Sequence, residues 1–206
     1  MNGLLSPAVI VQYLLRAVVV LITIPFHESA SHLLGDDTAV RAGRFSMNPL
    51  RHFDPLGALC MLVGGVGWAK PVSINPYNYK NPKVGMALSA AAGPASNLLL
   101  AWVSMILYKL CWYSGLGDAV PVLTMFLYYM VAMNLSLAVF NLLPVPPLDG
   151  FNVVTEIFNL RNTSLYYTIY NNGFLILMLL ILFDITDRIL TPAVIWCFDT
   201  LVMLFF

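Results

Sequence analysis

Residues 120–143 read VPVLTMFLYYMVAMNLSLAVFNLL, 24 positions without one Asp, Glu, Lys or Arg. An apolar run of about 20 residues, coiled at 1.5 Å per residue, spans the hydrocarbon core of a bilayer. Only a few polar side chains interrupt it, Asn134 and Asn141 among them. The run then meets Pro144, Pro146 and Pro147, which break the helix and present Asp149 and Gly150. Irregular backbone at membrane depth is tolerated only where protein covers it or where it lines a cavity. A carboxylate there is costly unless it is paired, protonated or metal-bound.

Outward from this stretch the chain keeps the same texture. Of its 206 residues 60% are hydrophobic and 10% charged, against about 25% charged in soluble domains. These figures predict an all-α integral membrane protein, a polytopic bundle of about five or six transmembrane segments. One span is expected over residues 5–30, with Pro25 a candidate kink, and others over 84–113 and 120–143. Residues 165–206 hold one or two more, divided around Asp184, Asp187 and Arg188. Residues 87–97 are rich in Ala, Gly and Ser, which let helices approach closely in a membrane.

Residues 35–83 differ. Pro and Gly punctuate them, and six of the ten Lys and Arg residues fall here. The positive-inside rule places this region at the cytoplasmic face. It reads as a short irregular or β-hairpin-like insertion between the first two clear spans, and the apolar stretch 56–68 is too short and Gly-rich for a full span. No repeat or linker divides the chain, so residues 1–206 are read as one integral membrane domain. The first span lacks a basic leader and runs on without a cleavage site, so it is read as retained. Zero net charge leaves no nucleic-acid footprint. Cys60, Cys111 and Cys197 stand singly in apolar context and read as small buried hydrophobes.

The first span ends in Pro25-Phe-His27-Glu28-Ser-Ala-Ser31-His32. In a helical His-Glu-x-x-His motif, two His four residues apart share a face and grip one zinc ion, and the Glu serves as general base. Here the fourth residue after His27 is Ser31, and His32 comes fifth. Five residues turn an ideal helix to about 140° from the starting direction. His32 reaches the metal of His27 only if a π-bulge or the helix end rotates it back. A lone His-Glu pair on a helix is also what a structural ion pair looks like.

A longer ordered set of motifs carries more weight. Ala42-Gly-Arg44 precedes Asn48-Pro-Leu-Arg-His52-Phe-Asp54-Pro-Leu-Gly57, then Gly67-Trp-Ala-Lys-Pro-Val72 with Asn75-Pro76. Ala92-Gly-Pro-Ala-Ser-Asn97 follows, and finally Asn134 with Leu137-Ala-Val-Phe-Asn-Leu-Leu-Pro-Val-Pro-Pro-Leu-Asp149-Gly150. In this order they resemble the site-2 protease family of intramembrane zinc metalloproteases, over residues 25–151, the protease-like core. Short bacterial and archaeal members look most similar. The resemblance implies Zn2+ as cofactor, His27 and Asp149 as zinc ligands and Glu28 as catalytic base. It matches Asn97 to an Asn suited to binding substrate backbone or an oxyanion, and an interhelical hydrogen bond is the alternative for that side chain. His52 is read mainly as a loop-positioning side chain.

One departure stands out. Leu34 lies seven residues after His27, about one helical turn short of the family spacing. The missing turn takes the second zinc His with it and leaves His32 as a displaced candidate. Three readings stay open: a degenerate homologue, a natural chain longer by that turn, or a helix end rebuilt so that His32 serves. The expected function is therefore a zinc endopeptidase cleaving transmembrane or membrane-adjacent segments of protein substrates in a prokaryotic cell membrane. The alternative is a non-catalytic scaffold or adaptor on the same fold. A transporter is disfavoured because no duplicated half is visible. Nothing in the sequence fixes the substrate or the oligomeric state.

Overall fold

A computed structural model of the chain describes residues 6–32, 38–41, 46, 48, 51 and 75–205, without the side chains of residues 31, 32, 39 and 40. Most of the expected hairpin-like insertion lies outside the described residues, with the stretch 56–68, Cys60, His52 and Asp54; its described parts include short helical turns at Thr38–Arg41 and Pro76–Asn78. Among those described, every regular element is helical. The protein is an all-α polytopic membrane protein.

Helix α1, Pro7–His32, continues as α-helix through Pro25 to its end. A short α2, Thr38–Arg41, follows. Helix α3, Pro82–Tyr113, starts on strong local signals: the Asn81 side chain accepts from the Val84 N–H and Pro82 opens the first turn. Gly115, at φ 71°, turns the chain into α4, Leu116–Ala119. Helix α5, Pro121–Asn141, also opens on a proline. The proline loop leads to α6, Asp149–Ile157. Thr163 caps α7, Ser164–Leu182, by accepting from the Tyr166 N–H. The last helix is α8, Ile185–Phe205. Asp184, at φ 55°, separates α7 from α8, so the C-terminal part contains two spans. Asp is among the few non-glycine residues enriched in this left-handed region.

Among the described residues, five helices are long and apolar enough to cross a membrane: Pro7–Ala30, Pro82–Tyr113, Pro121–Asn141, Ser164–Leu182 and Ile185–Phe205. Helix α3 is the hub and packs against α1, α5, α6 and α8. Its buried stripe explains why. Ser89, Gly93, Asn97, Ala101 and Met105 recur every fourth residue, on one face, and all but Met105 are small or polar. Lipid is as apolar as leucine, so close van der Waals approach and interhelical hydrogen bonds hold such helices. The outward face carries Leu99, Trp102 and Leu110, exposed as lipid contact requires.

Two apolar clusters fix the neighbours. Ala101 and Met105 of α3 meet Val131 and Leu135 of α5, with Phe198 and Leu201 of α8 against them. Val19 of α1 meets Tyr129 and Met130 of α5, backed by Leu15, Ile22 and Met133. Arg16 adds its guanidinium, 5.0 Å from the Tyr129 ring centroid. Of the described cysteines, Cys111 is buried and Cys197 partly so, both as free thiols.

Candidate active site

Val19, Thr23 and His27 lie four residues apart on α1 and so share one face. Val19 seats that face in the apolar cluster with α5. Thr23, fully buried, accepts a hydrogen bond from Asn134 Nδ2 at 3.1 Å. The same Nδ2 donates to the Met130 carbonyl at 2.8 Å, which holds the amide against its own helix. The next turn of α1 presents His27. This Thr23–Asn134 link, made one turn before His27, sets the register of α1 on α5. Thr23 was not singled out from the sequence. The signal that could have found it is a hydroxyl four residues before the His, in an otherwise apolar run.

His27 stands between α3 and α6. Its Nδ1 lies 3.2 Å from Asn97 Nδ2 of α3. Its Nε2 lies 3.0 Å from Asp149 Oδ2 of α6. The His27 and Asp149 side chains keep 17% and 23% of their surface exposed, while Asn97 is wholly buried. Residues more than a hundred positions apart thus meet within a few ångströms, as a shared site requires. Asp149 Oδ2 is nevertheless buried without a hydrogen-bond donor among the described residues.

The backbone around Asp149 is built to hold it there. Leu148 precedes α6 in extended conformation, and Asp149 is the first helical residue. A helix N-terminus favours negative charge by a few tenths to about 1 kcal/mol. Gly150 follows because nothing larger fits: a Cβ there would stand 2.2 Å from the Leu142 carbonyl oxygen and 2.6 Å from that of Leu143. The start of α6 is thereby pressed against the end of α5. Helix α7 closes the loop from its other side, where a Cβ on Gly173 would meet Pro146 Cβ at 2.4 Å. Leu143 and Leu148 pack with Leu177 of α7 beneath the prolines. At the far end of α6, buried Glu156 pairs with Arg161 through its Nε and Nη2.

Of the residues expected at the site, His27, Asp149 and Asn97 come together. Glu28 is partly buried beside His27 on α1. His32 is the last residue of α1, and its side chain is outside the described residues. Among the described residues no group of three His, Cys, Asp or Glu side chains is arranged around a metal position. Asn141, of the same loop motif, donates back to the Leu137 carbonyl at 3.0 Å within its own helix.

Comparison with known proteins shows the family. A family model described as peptidase family M50 matches residues 113–183, which contain α5, the proline loop, Asp149 and all of α7. "Putative zinc metalloprotease YwhC" of Bacillus subtilis (strain 168) is 32% identical over 182 residues, covering 87% of this chain and 83% of its own. "Putative zinc metalloprotease Rip2" of Mycolicibacterium smegmatis is 26% identical over 178 residues, covering 84% of this chain and 67% of its own. No solved structure matches significantly.

Proposed function

Since this chain belongs to peptidase family M50, the site-2 proteases, we propose that it is a zinc endopeptidase of the bacterial cell membrane that cleaves transmembrane or membrane-adjacent segments of other proteins. Residues 25–151 carry the protease core in this reading. The observation that supports it best is the meeting of His27 Nε2 and Asp149 Oδ2 at 3.0 Å. An imidazole nitrogen and a carboxylate oxygen are both donor types that zinc takes. A buried carboxylate oxygen without a hydrogen-bond donor is what a metal ligand looks like before its cation is bound. The pair therefore fits zinc, and His32 is the candidate for a third ligand.

When bound, zinc supplies Lewis-acid polarisation at the scissile bond. The chain's own residues supply the rest. Glu28 takes the proton of the attacking water and returns it to the leaving amine. Asp149 presents its carboxyl group from the first turn of α6. The bundle excludes bulk water, so the exposed fraction of His27 and Asp149 marks where water and the substrate backbone enter.

The spacing on α1 favours a second reading. The helix runs unbroken to His32, and five helical residues set His32 about 140° from His27. A scaffold that binds membrane helices without cleaving them accommodates that spacing; a protease needs the third ligand from this turn or elsewhere. Turnover of a membrane-spanning model peptide by the reconstituted chain separates the two. Glu28→Gln keeps size and removes the base, so cleavage should fall by about 10²–10⁴-fold with expression unchanged. Cleavage that survives in Glu28→Gln would refute the mechanism, and no cleavage by the wild type under zinc would favour the scaffold.

A further inference from the structure

Helix α8 has two unlike faces. Val194, Phe198, Leu201, Val202 and Phe205 pack inward on the cluster with α3 and α5. The opposite face carries Trp196, Asp199, Thr200 and Met203, spaced i, i+3, i+4 and i+7, and all four are exposed. On a membrane-spanning helix that face meets lipid. Trp196 and Met203 suit such a place. Asp199 does not. It stands six residues, about 9 Å, before Phe205 at the end of α8, and it is the only charge in residues 189–206. Its single methylene cannot carry the carboxyl group out to the interface as the long stems of Lys and Arg carry theirs.

Among the described residues none bonds or pairs with Asp199. Arg188 of the same helix is eleven residues away, about 16 Å along the axis and out of reach. Thr200 spends its hydroxyl proton on the Trp196 carbonyl at 2.7 Å, so it donates nothing to the carboxylate. Charged side chains inside membrane spans face the bundle interior or pair with one another, because an unpaired charge in hydrocarbon is costly. Asp199 does neither within the described chain, so the group that completes it comes from outside. The spacing of the stripe is the one by which one helix receives another. Beside it, Trp196 and Thr200 border an apolar groove of 430 Å³, lined across from α8 by Leu98, Leu99 and Trp102 of α3. A second copy related by a two-fold axis along the membrane normal would set Asp199 against Asp199, and like charges repel. A basic side chain meets the carboxylate without that conflict.

We propose that the lipid face of α8 docks a transmembrane helix of another protein through a Lys or Arg at the depth of Asp199, with an apolar side chain of that helix in the groove against α3. The proposal goes beyond the zinc reading and holds whether the chain cleaves the docked helix or only retains it.

The test uses the full chain in phosphatidylcholine vesicles, with energy transfer from a label at its N-terminus to labelled membrane-spanning Leu-Ala peptides. The peptides carry Lys, Leu or Asp at the depth of Asp199. The wild type should bind the Lys peptide about tenfold more tightly than its Leu twin. Asp199→Leu should lose that preference with melting unchanged, and Asp199→Lys should transfer it to the Asp peptide. Asp199→Asn keeps the shape without the charge and should lose the preference too, so the comparison survives a Leu variant that does not fold. The preference should persist under a zinc chelator, which separates this result from that of the zinc site. Equal binding of the Lys and Leu peptides by the wild type, or an unchanged preference in Asp199→Asn, would overturn the proposal. Energy transfer between two differently labelled copies of the chain, abolished in Asp199→Leu, would overturn it in favour of a second copy.

Discussion

Thr23 and Asn134 show how little polar chemistry a membrane bundle uses and how much depends on it. Both are fully buried, and their 3.1 Å hydrogen bond is made one turn before His27. Such bonds between membrane helices average about 0.6 kcal/mol, with a maximum near 1.7. Thr23→Val keeps the shape and removes the acceptor, so it should destabilise the chain by about that much. Asn134→Leu should cost similarly, and the double variant less than the sum, which thermal unfolding in detergent would show. Fully additive losses would mean that the two side chains do not act together. Asn134 was visible in the sequence as a polar residue inside a span. Its partner was not, because a Thr in an apolar helix gives no sign of which helix it will face.

At the scale of elements, the junction of α5 and α6 is the most constrained part of the site. A methyl group on Gly150 would collide with two backbone carbonyls that cannot move aside. Gly150→Ala should therefore lower stability by about 1–3 kcal/mol and displace Asp149, with a matching loss of zinc affinity. Unchanged melting and zinc binding would show that α6 can shift freely. The end of α1 is the other decisive element. Inserting four residues after Ala30, the first of them His, restores the His27-Glu28-x-x-His spacing. Zinc affinity should rise sharply in that variant. If it does not, the missing turn is not what limits the site.

These two elements differed in legibility. Asp149 stood out in the sequence because three prolines after an uncharged helix break it there, while its role as a ligand came from the family resemblance. His27 and Glu28 stood out because the pair ends an apolar run, and their roles likewise came from the resemblance. The contact between His27 and Asn97 could not, since the sequence left an interhelical bond and a substrate-binding role equally open. The division of the C-terminal part into two spans turned on one residue, Asp184, whose left-handed backbone composition alone does not reveal.

Over the whole molecule, five membrane-length helices among the described residues carry the expected topology. The basic bias of residues 41–83 predicts, by the positive-inside rule, that the loop after α1 faces the cytoplasm. In that topology the His27–Asp149 contact belongs to the cytoplasmic half of the bundle. Single cysteines at Ser46 and Ser6 should label from the inside and the outside respectively, and outside labelling of Ser46 would reverse the topology. Helical content and span number followed from charge depletion and run length. Which faces meet did not, because hydrophobic patterning carries little information where lipid and core are equally apolar. The small-residue stripe of α3 was the exception, since close approach needs those residue types.

The central claim is that His27 and Asp149 share a metal ion. Zinc titration of the purified 206-residue chain by calorimetry, run beside Asp149→Asn, tests it most directly. The account predicts one saturable zinc per chain, weak for want of the full His-Glu-x-x-His turn, and weakened further by at least about 10-fold in Asp149→Asn. Identical titrations of the two proteins, or no saturable zinc in either, would contradict it.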